Sequence, residues 1–314
     1  MAASPRGRWL ARYAVAIALV TALVLSVPAG ELAGTLARAH PAGIAAALVL
    51  ALASHLLIAQ RIRYLTGALG LPLPFWALFN INLGAVFYGL VLPAGNLSGV
   101  AARLYRMARA GGHYAEPAVA LTLERLVATV TLGALGVLCW LIAWPSGSWP
   151  VFVLMLAATL GFGALQLTMF RPLPLITPLW RWLTTRWPGK LGALRDAIER
   201  ARRLPWRVWR DVFVLGFAVH LIGVAAYGAV AWSLGLELSV WTIAWTRSAA
   251  ILIAIMPISV AGLGIREGAL VFLLAPYGVD PASAVGYGLL AFATTILAMG
   301  LLGGALEGRR LASA

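Results

Sequence analysis

Six ionisable side chains interrupt stretches of this chain that are otherwise apolar: Arg103, Glu124, Arg125, Arg247, Arg266 and Glu267. Their types point to holding an anion rather than to making bonds. A guanidinium grips phosphate or carboxylate through two parallel N–H donors and keeps its charge in a low-dielectric setting. A general base needs a carboxylate that is not already engaged, yet Glu124 and Glu267 each adjoin an arginine that favours the ionised form. The alternative for all six is mutual neutralisation, with the glutamates merely holding arginines and pinning helices together. The four histidines (His40, His55, His113, His220) and the single Cys139 show no metal-ligand spacing. No Walker loop and no Ser-His-Asp arrangement is present, so neither an enzyme nor a cofactor or metal site is expected.

The elements that carry these residues follow from composition. The 314 residues are 62% apolar and 11% charged, with a mean hydropathy of +0.91. A water-soluble globule of that composition would expose large apolar patches. Apolar runs recur at 13–29, 41–60, 74–93, 116–143, 149–170, 211–234, 239–257 and 281–305, with a shorter piece at 258–276. A helix of roughly 20 residues crosses about 30 Å of hydrocarbon, so the fold class is an all-α polytopic membrane protein of the cell membrane. The alternation of a β-barrel is absent. Arg and Lys outnumber Asp and Glu by 24 to 10; the bases gather between apolar runs, the pattern of cytoplasmic loops rather than of a nucleic-acid site. Arg6, Arg8 and Arg12 place the N-terminus inside, ahead of a retained first helix rather than a cleaved signal peptide.

The stretch 171–210 carries ten Arg or Lys against Asp196 and Glu199 and is expected to face the cytoplasm. Leu191, Leu194 and Ile198 share one helical face, with Asp196–Arg200 and Glu199–Arg203 as i,i+4 pairs on the other. Trp180, Trp182, Trp187, Trp206 and Trp209 suit the headgroup layer. The expectation is a helix lying on the membrane surface.

An internal repeat organises the rest. Trp76, Pro93, Arg103 and "EPA" from Glu116 recur as Trp241, Pro257, Arg266 and "DPA" from Asp280, at intervals of 17, 10 and 13 against 16, 9 and 14 residues. The positive-inside rule keeps Arg61 and Arg63 on the same side as Arg103, Arg106 and Arg109, which makes 74–110 a re-entrant hairpin from the cytoplasm and 239–276 its inverted counterpart. The whole chain 1–314 is then one membrane domain with repeat units at about 40–143 and 211–306. It makes six full crossings plus two hairpins, or eight crossings if the limbs span; both termini lie in the cytoplasm. Pro93, Gly95, Asn96, Ser98 and Gly99 in one hairpin, and Pro257, Gly262 and Gly264 in the other, supply breaks and tight reversals. Such backbone survives at membrane depth only around a wet or protein-lined cavity. The helix starting near Gly264 would aim its positive end at an anion there. Asn80 and Asn82 read as interhelical hydrogen-bonding residues, with lining of the cavity as the alternative, and the small residues of "GLLGGALEG" at 300–308 as close-packing positions.

At "PISVAGLGIREGA", together with "LPAGNLSGVAARLYRMARAGG" (92–112) and "LERL" (123–126), the chain resembles the flippase-like membrane domain family, over roughly Ala39 to Leu306. That family includes the membrane part of lysylphosphatidylglycerol synthase and stand-alone relatives. Val100 and Ala261 depart from its commoner acidic residue and glycine. The resemblance implies a lipid translocator without the appended soluble aminoacyl-transfer domain, working on membrane lipids, with a separate enzyme making any charged lipid. Two other readings stay open: a transferase using a polyprenyl-phosphate or phospholipid substrate, and a scaffold for a lipid-modifying enzyme.

Overall fold

The computed structural model of the protein describes residues 29–92, 96–145, 147–170, 188–255 and 262–312, with Thr21, Trp182 and Arg186. Its regular elements are helices: α1 Ala29–Ala37, α2 Pro41–Ala68, α3 Phe75–Val91, α4 Asn96–Gly111, α5 Ala115–Ala143, α6 Trp149–Phe170, α7 Pro188–Arg202, α8 Trp206–Ser233, α9 Val240–Ala254, α10 Ile265–Leu274, α11 Pro281–Phe292 and α12 Ala298–Ala312. One π-helical turn, Ala293–Leu297, joins α11 and α12 into a continuous rod. Five pieces are long and apolar enough to cross a bilayer: α2, α5, α6, α8 and the α11–α12 rod. Helices α3 (17 residues) and α9 (15 residues) are apolar but shorter. The chain is a multi-pass membrane protein.

Local chemistry explains several starts. Pro41 and Pro281 occupy the first turns of α2 and α11, where a missing N–H costs nothing. Asp280 caps α11 by accepting from the Ser283 amide at 2.9 Å, and Ser239 caps α9 from the Thr242 amide at 3.1 Å. Gly262 and Gly264 adopt φ of 75° and 84°, a region costly for any residue with a Cβ, so the reversal before α10 depends on them.

Helix contact relies on missing side chains. A Cβ on Gly99 would lie 2.5 Å from the Ala85 carbonyl oxygen, which seats α4 on α3. Along α12, Gly300, Gly303 and Gly304 meet Leu90, Leu83 and Phe87 of α3. Because α3 and α4 touch at Ala85–Gly99 near their junction and at Asn80–Arg106 further out, they run antiparallel. Helices α9 and α10 also pack as a pair. Large apolar side chains on α6, including Val153, Leu160 and Leu167, stay exposed, as suits a lipid-facing rod.

Four expectations change here. Helix α2 continues past the apolar run ending at residue 60, so Arg61 is not a loop marker but a helical residue only 2% exposed. In α7, Glu199 pairs with Arg202 at 2.6 Å and Arg200 reaches Glu116 of α5 at 2.5 Å, instead of the two i,i+4 pairs. The apolar face of α7 (Leu194, Ala197, Ile198, Ala201) packs against Leu65, Leu123 and Val127, so it is buried on neighbouring helices rather than presented to lipid. Trp209 is buried in that cluster, away from a headgroup position, while Trp182 and Trp206 are exposed. Pro93, Gly95, Pro257, Trp180 and Trp187, with most of the first apolar run and of 171–187, lie outside the described residues.

Candidate functional site

A cavity of about 390 Å³ opens between the helices, a size suited to a small ligand or a headgroup. Five guanidiniums line it, each from a different helix: Arg61 (α2), Arg103 (α4), Arg125 (α5), Arg247 (α9) and Arg266 (α10). Lining residues recur at helical spacing on three helices: Ser54, Ile58 and Arg61 on α2; Glu124, Ala128 and Leu132 on α5; His220, Gly223 and Tyr227 on α8.

Glu124 is the hub of one half. Its Oε1 accepts from Arg61 Nη2, and its Oε2 lies 3.9 Å from both Arg103 Nη1 and Arg125 Nε. Arg103 Nη2 also donates to Asn82 Oδ1 at 2.6 Å. A guanidinium only donates, so that bond fixes the amide: Asn82 Nδ2 donates to His55 Nδ1 at 2.9 Å, and His55 takes part with Nδ1 as acceptor. The side chain of Arg125 is 53% exposed, the most open of the five.

The other half is organised around Glu267, which is fully buried and sits behind the cavity wall. Its Oε1 accepts from Arg266 Nη2 at 2.6 Å and Nε at 3.2 Å, while its Oε2 accepts from the Gly264 amide at 2.6 Å. That last contact corrects an expectation: this amide at the start of α10 is capped by the chain's own carboxylate, so the site's positive charge comes from side chains rather than from a free helix end. Gly288 gives Glu267 its room, since a Cβ there would come within 2.9 Å of Glu267 Cγ. The Arg266 guanidinium lies 5.4 Å from the Phe292 ring centre, and that of Arg247 lies 5.3 Å from Tyr227. Arg247 rests on bare backbone: a Cβ on Gly223 would fall 2.6 Å from its Cζ.

Of the residues expected from the sequence, Arg103, Glu124, Arg125, Arg247 and Arg266 meet in this one cavity, and Glu267 supports it from behind. Gly99 lines the cavity too, but as a helical packing position; Ser98 is not among the lining residues. Asn96 opens α4, and its side chain lies outside the description. The sequence reading missed Arg61, His55, His220, Tyr227 and Thr295, while the interhelical hydrogen bonding expected of Asn82 is seen in its bonds to Arg103 and His55. Thr295 was not findable, because it lies in the π turn, a distortion frequent at functional sites. Among the described residues no group of His, Cys, Asp and Glu could hold a metal ion.

No curated protein matches the chain. The family described as lysylphosphatidylglycerol synthase TM region matches residues 9–303. That match over residues 9–303 of an all-helical membrane chain places it in the lysylphosphatidylglycerol synthase transmembrane-region family.

Proposed function

We propose that the chain moves lipids between membrane leaflets in a flippase-like manner, receiving an anionic headgroup in the arginine-lined cavity while the acyl tails remain in the bilayer. One observation carries this reading: five guanidiniums from five helices converge on one cavity of about 390 Å³. Positive charge gathered at such cost within a membrane domain needs a negative occupant. In this reading α3–α4 and α9–α10 are re-entrant hairpins of opposite orientation, set beside six full crossings. The 10 residues of α10 reach about 15 Å, half the hydrocarbon thickness, which supports a hairpin over a crossing. Arg103 and Arg266, on the second limbs of the two hairpins, then meet the headgroup from either leaflet, an inverted-repeat basis for alternating access. Both termini face the cytoplasm.

Both glutamates are engaged by guanidiniums, which favours translocation over group transfer because neither is left to act as a base. The test is lipid movement in proteoliposomes carrying a fluorescent anionic lipid. Arg266→Ala is expected to lose nearly all of it at unchanged protein incorporation. Wild-type transfer rates in that variant would remove Arg266 from the mechanism, and product formation from a labelled polyprenyl-phosphate donor would establish the transferase instead.

A further inference from the structure

The charges around the cavity do not balance. Five guanidiniums meet two carboxylates, a surplus of three positive charges. The surplus is uneven. Glu267 is matched by Arg266, but Glu124 alone serves Arg61, Arg103 and Arg125. Arg247 has the face of Tyr227 and no carboxylate within ion-pair distance among the described residues. Several donors are also unused. Arg61 Nε and Nη1, Arg103 Nε, and Arg247 Nε and Nη1 are buried without a hydrogen-bond partner, on side chains at least nine-tenths buried. A buried donor left unmade is costly, and a buried charge more so. Arginine cannot relieve the strain by losing its proton. Relief has to come from an occupant that brings several negative charges and several acceptor oxygens together.

We infer that the cavity selects a terminal phosphoryl headgroup, a lipid phosphomonoester or diphosphate, over the singly charged phosphodiester of an ordinary phospholipid; the inference rests on the translocator reading above. A phosphodiester has two free oxygens and one charge, too few for guanidiniums approaching from both halves of the cavity. A terminal phosphate offers three oxygens and up to two charges, and a diphosphate more, so Arg247 and the Glu124 cluster are engaged at once. The faces of Tyr227 and Phe292, 5.3 and 5.4 Å from the Arg247 and Arg266 guanidinium carbons, stabilise those cations without using up their N–H donors.

The experiment titrates the full chain in mild detergent with three probes, reading thermal stabilisation: dioctanoyl phosphatidic acid, dioctanoyl phosphatidylglycerol and tail-free inorganic pyrophosphate. Phosphatidic acid is expected to bind at least about tenfold more tightly than phosphatidylglycerol, the worth of one extra charge-assisted hydrogen bond. Pyrophosphate is expected to compete with it, more weakly for want of a tail. In Arg247→Gln phosphatidic acid should lose more affinity than phosphatidylglycerol, so that the preference falls toward unity; Arg247→Lys, which keeps the charge but not the fork, should fall between. Equal affinity for the two lipids would overturn the headgroup class and leave the translocator reading intact. Binding of neither lipid would sink both. Tight pyrophosphate binding that phosphatidic acid cannot displace would mean that the site takes a free anion, against a lipid ligand of any class.

Discussion

Glu124→Gln is the most informative single change, because it keeps the shape and removes one charge at the hub. Arg61 is 2% exposed, and its other nitrogens, Nε and Nη1, already lack partners. With Glu124 neutral, Arg61 becomes a buried cation without a counterion, and Arg103 and Arg125, each 3.9 Å from the lost charge, repel it unscreened. Breaking a buried ion pair from one side costs about 3–5 kcal/mol. At roughly 2–4 °C per kcal/mol for a chain of this size, the melting temperature should drop on the order of 10 °C. The assay is thermal unfolding in detergent by intrinsic fluorescence, for which the 13 tryptophans give ample signal. The companion is Arg61→Gln with Glu124→Gln, which deletes both charges; it should regain more than half of the loss, giving a non-additive coupling of about 2 kcal/mol. Glu124→Gln melting with the wild type, or a double variant showing the plain sum of the singles, would refute the claim that Glu124 holds these guanidiniums in place.

Gly223→Ala should press a methyl into the Arg247 guanidinium, costing about 1–3 kcal/mol as overpacking does and slowing transport in proteoliposomes, whereas Gly228→Ala, whose Cβ would meet only Ile243 Cδ1 at 3.9 Å, should be neutral or slightly stabilising in the same melt. Asp280→Ala removes the cap of α11 and should cost about 1 kcal/mol near neutral pH. The Ser283 side chain and amide hold the Asp280 carboxyl below its ordinary value of 3.8, so this contribution is complete above that value and is lost as pH falls through the lower folded one; melting temperatures of wild type and variant should converge only as pH falls well below 3.8, and a constant gap would show that the carboxylate is not the cap. Gly264→Ala, forced to φ of 84°, should cost about 1–2 kcal/mol without altering which lipids bind, as measured by melting and by the titration above.

Much of the site was legible in one dimension. Arginine in an apolar run is costly, and Arg125, Arg247 and Arg266 stood out on that ground; Arg103 stood out as the counterpart of Arg266 in the internal repeat, and all four line one cavity. Arg61 was missed for the same reason turned around: at the end of an apolar run, a base reads as a loop marker, and only the helix continuing to Ala68 carries it inward. His55 and His220 escaped because a lone polar residue in an apolar helix has many uneventful placements. Asn82 gains its role only by bridging Arg103 on α4 to His55 on α2, a contact across helices that no local spacing encodes.

The membrane class, the helical content and the presence of buried positive charge follow from the sequence alone, since hydrocarbon thickness and the cost of charge in lipid act on each segment separately. Which carboxylate answers which guanidinium, and therefore how much charge is left over, was decided by tertiary packing. Glu267 turns back to the Gly264 amide, Arg200 reaches across to Glu116, and Arg247 lies on Gly223. Coulomb energy depends on separation in space and on the dielectric between the groups, and those distances exist only once the helices have packed.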